Sequence, residues 1–146
     1  MKKLTSMLLL LIAISVSYQS QAAEDDKPFA EERIVLQISD PDPFKQTLVL
    51  NVATNLVKHY GPDKVDIEIV AFGPGLRLMF KDNVNSNRIN GLTNSGVKFA
   101  ACKNTIAGMT KILGQAPVLH SSAIPVSAGV VRIIELENQG FKLIKP

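Results

Sequence analysis

Cys102 is the single cysteine among 146 residues. It lies in the run VKFAACKNTIAGM, residues 97–109, where an apolar strand-like segment delivers a thiol to a turn and a helix begins at once. Backbone N–H groups at a helix N-terminus favour negative charge, so a thiolate is easier to form there than elsewhere on the chain. Such a thiolate points to sulfur chemistry. Lys103 could steer anions or favour the thiolate, and Asn104 and Thr105 could donate hydrogen bonds. All three also read as ordinary first-turn residues. A lone cysteine is a free thiol, an intermolecular partner or a buried inert side chain, and the residue types leave all three open.

Other constellations offer less. Gly73-Pro74-Gly75 could let a ligand approach the backbone, but it lacks the longer glycine loop and lysine of a phosphate cradle, so it reads as a tight turn. Gly129 opens a helix that could hold an anion, with Ser127 reading as its cap. A flavin site would want hydroxyls after the first strand; Asp40, Pro41, Asp42 and Pro43 bring charges that repel phosphate and prolines without donors. A phosphate-receiving domain would want an aspartate where Cys102 stands. His59 and His120 read as surface or capping residues, so neither a metal site nor a cofactor is expected.

These residues need elements to position them. Residues 33–39 form a compact β-branched run and read as a first strand. Asp42 can cap a following helix with Pro43 at its first position. That helix carries Phe44, Leu48, Val52 and Leu56 at spacing four, widened by Val49, Ala53 and Val57, and Gly61-Pro62 stops it. Residues 65–72 read as a second strand, 76–81 as a helical turn or two, and 86–94 as a weak helix closed by Gly96. Residues 97–101 are a third strand, followed by a helix over 103–113 that ends at Gly114. A fourth strand spans 123–127. A helix over 129–139 follows, with Val130, Ile133, Ile134 and Leu136 inward, and residues 141–145 close the chain as a strand. Five strands alternating with helices predict a three-layer α/β sandwich with a mostly parallel five-stranded sheet. Sites in such sheets form beyond the carboxyl ends of the strands, the rim that carries residues 39–40, 72–75, 102–105 and 127–129.

The chain's first residues read differently. Lys2 and Lys3 precede an apolar stretch from Leu8 to Val16 and a polar segment ending in small residues, the pattern of a signal peptide. Ser20 and Ala22 place cleavage after Ala22, with Ala23 as the near alternative. The apolar stretch is well short of the ~20 residues of a membrane span. The reading is therefore a signal peptide over 1–22, a flexible lead-in over 23–32 and one domain over 33–146. It implies a periplasmic or secreted protein with no stable membrane insertion after cleavage. The chain has 16 Lys and Arg against 13 Asp and Glu. Loss of Lys2 and Lys3 brings the excess from three to one, and no basic run interleaved with aromatics remains, which argues against nucleic acid.

Four segments carry a resemblance: VAFGPGL at 70–76, GVKFAACKNT at 96–105, VSAGV at 126–130 and QGFKLIKP at 139–146. In order and spacing they resemble the DsrE/DsrF-like family of the sulfur relay. The resemblance implies a flavodoxin-like, DsrEFH-like layer fold that assembles as a homo-oligomer. It also implies that Cys102 matches the family's sulfur-bearing position. The expected function is sulfur handling through Cys102, as a persulfide carrier or sulfurtransferase-like protein with a donor or acceptor protein as partner. Lys103, Asn104, Thr105, Gly73, Gly75, Ser127 and Gly129 would shape its site. The rival expectation is a non-catalytic oligomeric binding or assembly module with a structural cysteine.

Overall fold

β-Branched residues and helix-stop glycines set the element boundaries of the computed structural model, which describes residues 27–146. The segment read as a signal peptide and the first part of the expected lead-in lie outside the described residues. Strand β1 (Glu32–Ile38) leads to helix α1 (Pro43–Tyr60). The Asp42 carboxylate caps α1 by accepting the Phe44 N–H at 2.8 Å, and Gly61, at φ 92°, ends it. Strand β2 (Val65–Ala71) runs into a 3-10 helix (Gly73–Met79), then helix α2 (Ser86–Asn94) and strand β3 (Lys98–Cys102). Helix α3 (Lys103–Leu113) starts without a spacer and stops at the left-handed Gly114. Strand β4 (Ala123–Val126), helix α4 (Gly129–Asn138) and strand β5 (Lys142–Ile144) complete the chain.

The five strands lie in the order β4-β3-β2-β1-β5, and every ladder is parallel. Alternation along the strands sorts two cores. Ile34, Leu36, Ile67, Ile69 and Phe99 pack under α1, the 3-10 helix and α2 in the larger one. Val35, Val70 and Ala100 meet Ile133, Leu136 and Phe141 in the smaller one, beneath α4. The layers are therefore unequal, with α4 the helix that covers the second face. No helix among the described residues is long and apolar enough to cross a membrane.

Two expectations need correction. Phe44 is 86% exposed and Leu48 is also exposed, while Gln46, Val49, Leu50 and Ala53 are the buried residues of α1. The first turn of α1 springs from the rim, so its apolar side chains extend past the sheet that the later turns cover. On α4, Ile133 and Leu136 face inward but Val130 and Ile134 are half exposed. Arg132 takes an inward position because Glu68 lies buried beneath it on β2, and this rotates the apolar stripe. The described part of the lead-in makes polar contacts with the domain. The Lys27 ammonium donates to the carbonyl oxygens of Pro62 at 2.7 Å and Val65 at 2.9 Å.

Candidate functional site

The carboxyl rim of the sheet gathers backbone from four connections, and glycine is what lets them approach. A Cβ on Gly75 would stand 2.7 Å from the Cα of Ser39, so the 3-10 helix can lie against the end of β1 only without one. A Cβ on Gly129 would stand 2.8 Å from the Phe72 ring. Gly129 thus brings the first N–H of α4 against the end of β2 and beside β3.

Cys102 is the last residue of β3 and the N-cap of α3, and it is a free thiol with 5% of its surface exposed. Burial pushes its pKa up. The Thr105 hydroxyl, followed by the N–H groups of Thr105, Gly129 and Asn104, more than offsets this and leaves the thiol below its ordinary value. The sulfur makes no formal capping hydrogen bond to α3, so these donors act as dipoles that favour the charged form. They come from the N-termini of both α3 and α4.

Thr105 is oriented for this role from a distance in sequence. Its Oγ1 accepts the Gly73 N–H at 2.8 Å. With that lone pair occupied, the hydroxyl's own hydrogen is left to point at the sulfur. The positive φ of Gly73, 52°, sets the N–H direction, so the glycine turn has a part in the electrostatics of the thiol.

The structure thus brings together Cys102, Thr105, Gly73 and Gly129, with Gly75 supporting them through β1. Lys103 and Asn104 are exposed, and Asn104 contributes through its backbone. Ser127 is also exposed and does not cap α4. Ala128 occupies the N-cap position and makes no side-chain bond. The missing cap leaves the N–H groups of α4 open toward the rim. His120 is buried rather than superficial, its Nδ1 accepting the Ser122 N–H at 3.1 Å to close its own loop. Among the described residues no cluster of three His, Cys, Asp or Glu side chains could hold a metal.

Sequence reasoning missed the neighbouring cavity of about 420 Å³ between the 3-10 helix and α3. Thr105 and Gly73 line its edge, and Arg77, Gly108 and Met109 lie further in. The signal available in the sequence was Arg77, the one charge in an otherwise apolar run from Leu76 to Phe80.

Two of the solved structures that this chain resembles share its fold. MTH1491 of Methanobacterium thermoautotrophicum, a protein of unknown function, shares 29% identity with a TM-score of 0.70, over 80% of this chain and 100% of that one. The YchN protein of E. coli shares 14% identity with a TM-score of 0.63, over 79% and 99% respectively. This chain has a DsrE/YchN-like fold. No protein-family model and no curated protein matches the sequence. In this fold the cysteine falls at a strand end on the rim, where open parallel sheets place their ligands.

Proposed function

We propose that the protein handles sulfur through Cys102 as an exported persulfide carrier. The supporting observation is the thiol's acidification against burial by the Thr105 hydroxyl and by N–H groups from two helix N-termini. The Cys102 thiolate attacks the outer sulfur of a donor R–S–SH, forming Cys102–S–SH and releasing R–S⁻. An acceptor thiolate then attacks the outer sulfur, takes it as its own persulfide and regenerates the Cys102 thiolate. No net oxidation occurs in either step. The low exposure of the thiol suits a carrier in an oxidising compartment, since it slows capture by other thiols.

Intact mass after exposure to inorganic polysulfide, with and without reductant, tests the reading. Reductant-labile gains of single sulfur atoms are expected in the native protein and absent in Cys102→Ser. A native protein that gains no sulfur overturns it.

Assembly as a homo-oligomer belongs to the same proposal. Val130, Val131 and Ile134 form an exposed apolar stripe on the outer face of α4, which a second copy would cover. Ile134→Glu should lower the mass measured by light scattering. An unchanged mass would remove α4 from the interface.

A further inference from the structure

Helix α3 has no fully buried residue, although it carries Ile106, Met109, Ile112 and Leu113. The reason is the cavity beneath it. Ile106 and Met109 reach the core only in part, Thr105, Gly108, Met109 and Ile112 line an open space of about 420 Å³, and Ile112 is 83% exposed. That volume lies within the roughly 300–1,000 Å³ of small-molecule sites. Phe80 and Pro74 extend the apolar wall on the opposite side.

Two further observations limit what fits. Arg77 lines the same space, and no hydrogen bond or ion pair engages its guanidinium among the described residues. A planar, permanently charged fork beside an apolar wall suits a carboxylate or another oxyanion bidentately. Gly108 lies in the middle of α3, where glycine is destabilising relative to alanine. No packing requires it, because a Cβ there would meet nothing within 4 Å. What the glycine does is keep the floor of the cavity open.

We propose that the cavity between the 3-10 helix and α3 binds a small apolar monoanion, with its tail along Met109 and Ile112 and its charge on Arg77. Binding supplies α3 with the packing it lacks, so the occupied protein is the more stable one. Because Thr105 and Gly73 line the cavity and also polarise Cys102, the occupant lies next to the thiol. The proposal rests on the cavity alone and stands apart from the sulfur reading.

Calorimetric titration of the full protein with sodium octanoate tests it, alongside 1-octanol as a neutral match. Saturable one-to-one binding is expected, with a rise in melting temperature. Arg77→Gln, an exposed change that leaves the core intact, should weaken octanoate about tenfold and leave octanol unchanged. Gly108→Leu should fill the cavity and abolish both. Absence of saturable octanoate binding overturns the proposal, as does binding that ignores either substitution. Loss of self-association in Gly108→Leu without any octanoate binding would give the groove to a second copy and likewise overturn it. No arm of the titration involves sulfur transfer, so its failure leaves the Cys102 reading intact.

Discussion

At the scale of single residues, neutral groups decide the charge on the sulfur. Lys103 is exposed, and the donors that favour the Cys102 thiolate are a hydroxyl and backbone N–H groups. Thr105 is the side chain among them, and its orientation depends on Gly73. Thr105→Val keeps the shape but removes the donor and orphans the Gly73 N–H. Thiolate absorbance followed against pH, with Cys102→Ser as baseline, should give a midpoint below that of a free cysteine. In Thr105→Val the midpoint should move up, and the rate of sulfur loading near neutrality should fall with it. The sign for stability follows from the same shift. A thiol whose folded pKa is depressed contributes stability above its unfolded pKa and loses it as pH falls through the folded value. Cys102→Ser should therefore flatten the rise in stability with pH across that window. Cys102 itself was legible as a strand-to-helix thiol. The Thr105–Gly73 bond was not, because it joins residues 32 apart in sequence, and local periodicity carries no such information.

At the scale of elements, short-range chemistry is what the sequence expresses. Asp42 with Pro43 marks the start of α1, and glycines mark where α1 and α3 end. Removing the cap with Asp42→Ala should cost about 1 kcal/mol in urea melts and leave Cys102 unaffected. Faces were harder to read than boundaries, since which stripe is buried depends on what lies opposite. Phe44 and Leu48 have the spacing of a core stripe but start at the rim, and Ile134 has it but yields to Arg132. Gly75 illustrates a constraint between elements. It reads as part of a turn, yet its missing Cβ lets the 3-10 helix lie against the end of β1. Gly75→Ala meets backbone rather than a flexible side chain, so one of the two segments must move. We expect a loss on the order of 3 kcal/mol in chemical unfolding. The same variant should raise the thiol midpoint, because moving the 3-10 helix moves Gly73. A thiol midpoint unchanged in a destabilised Gly75→Ala would separate the turn from the site.

At the scale of the whole molecule, the unequal coverage of the sheet governs how charge is carried inside it. Four helical segments cover one face, and the central strand residues on that side, Ile34, Leu36, Ile67, Ile69 and Phe99, are apolar. The other face lies under α4, and there β2 can carry Glu68, 3% exposed, which a continuous apolar layer would not tolerate. Arg132 reaches it from α4 with a two-pronged contact, Nε to Oε1 and Nη2 to Oε2, both at 2.7 Å. The sequence displays both residues, but pairing them required the strand order and the crossover of α4. Neither is encoded in any local pattern. A buried pair contributes little net stability, while a buried charge left alone is costly. Arg132→Met should therefore destabilise the fold by roughly 3–5 kcal/mol. Adding Glu68→Leu should recover most of that loss, because the double change replaces the pair by apolar contact with Val70 and Ala100 nearby. Urea melts of the two single variants and the double variant close the cycle. If Arg132→Met alone is neutral, Glu68 is reached by water. In that case α4 does not seal the second face, and the helix N-terminus it presents to Cys102 is not held rigidly enough to polarise the sulfur.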